Sequence, residues 1–310
     1  MSDRELLFAT RRYVGLRDAI VREGGGEAAS VEVRTFPDGE RYQRVLSQVE
    51  GRDVSVVAGT ACDEDTLELY DLACSLARQG VHRLTLVVPY FGYSTMERAV
   101  KHGEVVTAKV RARLLSSIPA AQQANRILLL DLHSEGIPHY FEGDVRAVHV
   151  YAKPIVLDAI RELGGGDFVV ACTDAGRAKW VESLANDLGV TASFVFKKRL
   201  DGETTQITAV SAQVDGRRVI VYDDMIRTGG SLLDAVRAYK HAGATEIAAV
   251  ATHGLFPGEA LARLKDCGLL TKIVVTDSHP RATELAATSG GFLEVRSVAG
   301  VLARAVGART

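Results

Sequence analysis

Short runs of β-branched and aliphatic residues alternate along the chain with longer stretches in which apolar residues recur every three or four positions. The short runs have the length and composition of buried strands, and the longer stretches have the spacing of amphipathic helices. Strands are predicted near Leu6–Ala9, Val31–Thr35, Val54–Ala58, Leu84–Val88, Ile127–Asp131, Phe168–Cys172, Ser193–Phe196, Val219–Tyr222, Ile247–Thr252 and Ile273–Asp277. Helices are predicted over Leu67–Arg78, with apolar positions at Leu67, Leu69, Leu72, Ala73 and Leu76, and over Leu232–His241; Gly80 and Gly243 end them. Strand and helix alternating from end to end is the pattern of βαβ units, so the expectation is an α/β protein with mostly parallel, doubly wound sheets.

Two halves repeat one design, a strand ending in Asp-Leu-His near Ile127 and a strand ending in Asp-Asp near Val219. They are expected to join around Val150–Pro154, giving an N-terminal domain over 1–150 and a C-terminal domain over 151–287, with 288–310 returning to the first. The length of 310 residues suits two such units. A net charge of -2 with 25% charged residues carries no footprint of a nucleic-acid binder. No apolar run reaches the roughly 18 residues that cross a bilayer, and Met1–Gly15 has no signal-peptide core, so no membrane partner and a cytoplasmic location are expected. Cys62, Cys74, Cys172 and Cys267 form no CxxC pair, and buried thiols are the expectation.

The densest chemistry lies in Val219–Ser231, VIVYDDMIRTGGS. The apolar run places Asp223 and Asp224 at the carboxyl end of a strand, where open α/β sheets bind ligands; adjacent acids there suit hydroxyls, or a metal carrying hydroxyls. Arg227, Thr228, Gly229, Gly230 and Ser231 follow, with a helix expected to open at Leu232. Glycines let the backbone approach an anion, hydroxyls donate to it, and the helix turns its positive end to the same point. The loop alone does not distinguish a synthase from a transferase or an inactive relative.

Weaker signals fall on other strand ends. Phe36-Pro37-Asp38-Gly39-Glu40 forms a sharp turn that presents Asp38 and Glu40 outward. Pro89-Tyr90-Phe91-Gly92-Tyr93 brings aromatics to a strand end, either to hold a flat ring or to pack between helices. His133 ends another strand, Asp174 precedes a small-residue turn, and Lys197-Lys198-Arg199 leads into a polar loop that, closed over a polyphosphate, would offset transition-state charge.

Taken in order, FPDGE, VVPYFGY, the Thr107–Lys109 TAK, LDLH, the Asp174 turn, KKR, VYDDMIRTGGS and the Ala251–Phe256 ATHGLF resemble the ribose-phosphate diphosphokinases, or phosphoribosyl diphosphate synthases, over Leu6–Val306. The resemblance implies two phosphoribosyltransferase-like domains, and attack of the 1-hydroxyl of ribose 5-phosphate on the β-phosphorus of ATP with AMP leaving. It further implies that Phe36, Asp38, Gly39 and Glu40 hold the nucleotide, His133 and Asp174 hold Mg2+, and Lys197 and Arg199 act in catalysis. Asp223 and Asp224 would take the ribose hydroxyls and Thr228–Ser231 the 5-phosphate; Arg227, at the edge of that site, either adds to phosphate binding or points into solvent. A homo-oligomer is implied as well.

Three segments depart from the usual bacterial pattern. Ser94-Thr95-Met96-Glu97-Arg98 stands for Ala-Arg-Gln-Asp-Arg, so those nucleotide contacts are not carried over. Arg227 stands where an acid is usual, and Thr173–Arg177 replaces Asp-x-Gly-Gly while keeping the acid. The first of these, with the DDMIRTGGS form of the sugar loop and THGLFP, is more similar to the plant-type branch, which also lacks an acid at the Arg227 position, and this implies relaxed choice of nucleoside triphosphate. A non-catalytic regulatory relative and a phosphoribosyltransferase remain as alternatives.

Overall fold

In a computed structural model of the chain, the described residues are 4–199, 205–210 and 214–308, those at 175, 196–199 and 205–209 by their backbone only. They form two compact units, one running to Tyr151 and resuming at Ser297, the other Ala152–Arg296.

The first unit holds β1 (Leu6–Ala9), β2 (Glu27–Ala28), β3 (Val31–Thr35), β4 (Arg41–Val45), β5 (Asp53–Val57), β6 (Arg83–Val88), β7 (Arg126–Leu130) and β8 (Arg146–Val150). Its main sheet has the order β2-β1-β5-β6-β7-β8, and every neighbouring pair is parallel. Strands β5 to β7 are apolar almost throughout because both faces are covered. One face packs Leu6, Phe8, Val54, Val56, Leu84 and Leu86 against α2 (Asp63–Arg78) and α3 (Thr107–Ser116). On α1 (Val14–Arg22) lies α9 (Ala299–Gly307), which also reaches β6 and β8. Buried Arg126 fastens the end of α9, donating to the carbonyls of Val306 at 2.9 Å and Ala308 at 2.6 Å.

The second unit holds α4 (Lys153–Gly164), β9 (Phe168–Cys172), α5 (Ala178–Leu188), β10 (Thr191–Ser193), β11 (Val195–Arg199), β12 (Thr205–Val210), β13 (Arg218–Ile226), α6 (Gly230–His241), β14 (Ile247–Gly254), α7 (Ala260–Asp266), β15 (Ile273–Thr276), α8 (Pro280–Ala286) and β16 (Leu293–Arg296). Its sheet order is β10-β9-β13-β14-β15-β16, again all parallel. The two-residue period of a strand sends alternate side chains to opposite faces. Thus Val169, Ala171, Val219 and Val221 join a cluster with Leu232, Ala235 and Val236 of α6. Phe168, Val170, Cys172, Ile220 and Tyr222 join one with Val156 and Ile160 of α4 and Val181 and Leu184 of α5. This is the doubly wound arrangement the sequence pattern predicts. From β9 the chain passes outward to β10, whereas from β13 it passes the other way to β14, so the order reverses between β9 and β13, where such sheets bind ligands.

Several boundaries differ from expectation. Strand β13 continues four residues beyond Tyr222, and the strand expected over Ser193–Phe196 is divided at Phe194 between β10 and β11. Helix α2 starts at Asp63, its first turn carrying Asp63, Glu64 and Asp65 against the positive end of the helix. Residues 288–296, expected with the first unit, supply β16 to the second, and the return begins at Ser297. Of the four cysteines only Cys172 is buried; the other three are half-buried. Among the described residues no helix is long and apolar enough to cross a membrane.

Candidate active site

The apolar segment of β13 is followed by polar residues that remain in the sheet. Pairing with β14 runs on to Ile226 opposite Gly254, whereas β9 stops at Cys172 opposite Tyr222. Asp223 and Asp224 therefore project where β9 has turned away, beside the turn formed by Thr173–Arg177. Thr173 Oγ1 donates to Asp223 Oδ2 at 2.8 Å, and the Asp224 amide donates to Asp223 Oδ1 at 2.9 Å. Arg177 Nη2 lies 2.6 Å from Asp224 Oδ2, with the Asp224 side chain only 6% exposed. Burial, reinforced by the neighbouring charge of Asp224, holds the Asp223 carboxyl well above the usual carboxylate range. Asp174 is half-buried, and its Oδ1 accepts the Gly176 amide at 2.8 Å, which closes the turn leading into α5.

The same strand delivers the phosphate-sized loop. Arg227 and Thr228 are exposed, and Gly229 is buried at φ +79. A Cβ there would meet Leu264 Cδ1 at 2.9 Å, so both backbone conformation and space select glycine. Helix α6 opens at Gly230, two residues earlier than expected, although Gly230 and Ser231 are poor helix formers by propensity. No side chain caps it. Its first-turn amides point out of the helix start, beside the exposed Ser231, as an anion site requires. Arg263 Nη2 donates to the Thr228 carbonyl at 3.1 Å and fixes the loop from α7.

Lys197 and Arg199 lie on β11, opposite Ile207 and Thr205 of the antiparallel β12. Strand β11 runs against the Ala175–Arg177 turn and β12 against α6, so the hairpin borders the acids and the loop. The side chains of Lys197 and Arg199 lie outside the described residues.

The remaining candidates belong to the first unit. Phe36–Glu40 is the tip of the β3–β4 hairpin: the Phe36 amide donates to the Glu40 carbonyl at 2.8 Å, the Gly39 amide to the Phe36 carbonyl at 2.9 Å, and the Glu40 amide to Asp38 Oδ1 at 3.1 Å. Asp38, Gly39 and Glu40 are exposed there, and the Phe36 ring, 45% exposed, stands edge-on to Tyr42. His133 is half-buried just beyond β7. Its turn is pinned by His149 of β8, whose Nε2 accepts the Leu132 amide at 2.9 Å. Burial pushes the His149 pKa down, which keeps its ring neutral and able to accept.

The aromatic segment divides between the two readings. Tyr90 and Phe91 are buried packing residues, and Gly92 passes so close to Thr60 that a Cβ would sit 1.9 Å from its carbonyl oxygen. Tyr93 instead donates to Asp63 at 2.7 Å with Arg111 stacked 5.1 Å from its ring. In the departing segment Ser94 is buried and Met96 is 45% exposed.

The structure thus gathers Asp174, Asp223, Asp224 and Arg227–Ser231 in the second unit, bordered by the strand of Lys197 and Arg199. Phe36–Glu40 and His133 lie in the first unit. Among the described residues no three His, Cys, Asp or Glu side chains cluster as a self-sufficient metal cage. Two contributions are not legible in sequence: that of Arg177, visible only as the end of a departing turn and with its partner on β13, and that of His149, whose only signal is its place in a strand beside the Asp131–His133 turn.

Comparison with known proteins covers both units. Residues 6–118 match the sequence model of the N-terminal domain of ribose phosphate pyrophosphokinase, and residues 173–306 that of the phosphoribosyl synthetase-associated domain. The chain is 33% identical over 303 residues to a ribose-phosphate pyrophosphokinase of Vibrio vulnificus, covering 96% of this chain and 90% of that one. It is 33% identical over 307 residues to the enzyme of the same name from Corynebacterium glutamicum, covering 97% and 91%. The crystal structure of phosphoribosylpyrophosphate synthetase from Mycobacterium smegmatis superposes with a TM-score of 0.85 at 29% identity, covering 97% of each chain.

Proposed function

Because the chain belongs to the ribose-phosphate pyrophosphokinase family and is an enzyme of phosphoribosyl diphosphate synthesis, we propose the following donor and residue roles. The donor is ATP. The 1-hydroxyl oxygen of ribose 5-phosphate bonds to the β-phosphorus, the bond from that phosphorus to the oxygen bridging to the α-phosphate breaks, the hydroxyl proton is lost and AMP departs. The observation that carries the reading is one continuous strand, loop and helix holding two acids and an uncapped helix start at the reversal point of the sheet.

Asp223 and Asp224 accept the ribose hydroxyls, while Thr228, Gly229, Gly230 and Ser231 take the 5-phosphate through amides and hydroxyls. Arg227, exposed at the rim, adds attraction for that phosphate without being required by it. Phe36, Asp38, Gly39 and Glu40 form the nucleotide contact, Phe36 by its ring against the base and Asp38 and Glu40 as acceptors. Lys197 and Arg199 stabilise charge that develops on the transferred diphosphate, a reaction that needs positioning and cations rather than a covalent nucleophile.

Mg2+ carried with the nucleotide would offset phosphate charge and orient the β-phosphorus. Asp174 would contribute a carboxylate ligand to it. The fit rests on Asp174: one carboxylate oxygen is oriented by the Gly176 amide, which leaves the other oxygen to an ion that would take further ligands from phosphate and water.

The reading includes a cytoplasmic location, supported by the charged metabolites the protein takes, and a homo-oligomer, supported by the family resemblance alone. It also includes membership of the plant-type branch with relaxed donor choice, supported by Ser94–Arg98 and Arg227. A coupled assay should detect AMP only when ATP, ribose 5-phosphate and Mg2+ are all present; AMP release without the sugar phosphate would contradict the reaction. Turnover with GTP, CTP and UTP at fixed ribose 5-phosphate tests donor range, and turnover with ATP alone would remove the branch assignment.

A further inference from the structure

The acids at the end of β13 present an electrostatic problem. Two adjacent carboxylates in a poorly solvated crevice repel each other, and each loses hydration that something must replace. A bound divalent cation is one solution. The chain contains another: Arg177, carried on the turn after β9, reaches the buried Asp224 with an N–O distance of 2.6 Å, and its own side chain is only 19% exposed. Thr173 from the same turn donates to Asp223. One five-residue turn therefore supplies a donor to each acid.

We infer that Arg177 is the built-in counter-ion of the acidic pair, standing where a divalent cation would otherwise be needed, so that the protein binds ribose 5-phosphate without a cation at Asp223 and Asp224. The inference deepens the proposed function and rests on its reading of the pair as the sugar-hydroxyl site. A guanidinium always carries its charge and grips a carboxylate in a fixed orientation. An ionised carboxylate has about four acceptor positions, so Asp224 can hold Arg177 and still receive a hydroxyl. A divalent ion entering the same carboxylate would have to displace a like-charged group that is already in place. Arg177 is thus a positioning residue: it acts on the sugar through Asp224. Mg2+ carried with the nucleotide would be a separate ion, with Asp174 as its ligand from this unit.

The test is calorimetric titration of ribose 5-phosphate, with no nucleotide present, into the full chain in EDTA and again in Mg2+. The parent protein should bind with the same affinity, to within about threefold, under both conditions. Arg177→Met should bind on the order of a hundred-fold more weakly in EDTA and regain at least about tenfold in Mg2+, as the cation fills the vacated role; Arg177→Lys should keep most of the EDTA affinity. Two results overturn the inference: a parent protein that needs Mg2+ to bind the sugar phosphate, or an Arg177→Met variant that binds as tightly as the parent in EDTA. The parent measurement decides even if Arg177→Met does not fold. Failure of the underlying reading looks different: Asp224→Asn would then leave ribose 5-phosphate affinity unchanged in both buffers.

Discussion

The hydroxyl of Thr173 donates to Asp223 Oδ2 at 2.8 Å, joining the residue after β9 to a residue within β13. Thr173 is fully buried, so this bond is not exchanged with solvent. Thr173→Val keeps the shape and leaves the acceptor short of a donor, at a cost of about 1 to 3 kcal/mol. We expect a lower melting temperature and roughly tenfold weaker ribose 5-phosphate binding. Unchanged affinity, measured by calorimetry, would show that the bond serves the fold alone.

Asp223 links protonation to stability. Burial and the Asp224 charge raise its pKa in the folded chain. Between the ordinary carboxylate value of about 3.9 and the raised value, the folded state holds a proton that the unfolded state has released. Stability from this group is therefore present in acid and declines as pH rises through that interval. Asp223→Asn removes the decline, so its melting temperature should gain on the parent as pH rises above the ordinary carboxylate value of about 3.9. The same variant should bind ribose 5-phosphate more weakly and turn over more slowly. Parallel melting curves against pH would contradict the linkage, and normal sugar-phosphate affinity would contradict the site assignment.

Lys197→Ala should lower turnover on the order of a thousand-fold while leaving ribose 5-phosphate binding nearly intact, the pattern of a cation used in the transition state. Steady-state kinetics beside equilibrium titration separates the two effects. A variant with normal turnover removes Lys197 from the chemistry.

Gly229→Ala combines a left-handed backbone at φ +79 with a Cβ 2.9 Å from Leu264 Cδ1. The conformation alone costs about 1 to 2 kcal/mol, and relief of the contact must shift α7 or the loop. Stability and ribose 5-phosphate affinity should both fall. Adding Leu264→Ala to Gly229→Ala should restore binding relative to the single variant if the contact moves the loop; no recovery would assign the loss to the backbone.

The parts of this fold that were legible in sequence are those that a local pattern determines. Leu6–Ala9, Val31–Thr35 and Phe168–Cys172 form strands with the predicted limits. The short β4, Arg-Tyr-Gln-Arg-Val, and β8, Arg-Ala-Val-His-Val, escaped because they are partly exposed and lack a continuous apolar run. Asp223–Ile226 looked like the end of a strand because acids and an arginine break the apolar pattern, yet backbone pairing to β14 carries the strand through them. The strand, acids, glycines and hydroxyls of the site were visible as residue types in order. The grip of Arg177 on Asp224 and of His149 on the Asp131–His133 turn was not, since each depends on which strands become neighbours.

The clasp between Arg126 and the end of α9 spans a sequence separation of 180 residues at Val306. During synthesis, the continuous stretch Ala152–Arg296 emerges in full before Ser297 and the α9 helix that follows it leave the ribosome. The later-made unit is therefore free to finish folding while the earlier one still lacks a helix over β6 and β8. Cutting the chain after Arg296 should leave the first unit with an uncovered apolar face and a buried guanidinium without its carbonyl partners, and so prone to aggregate.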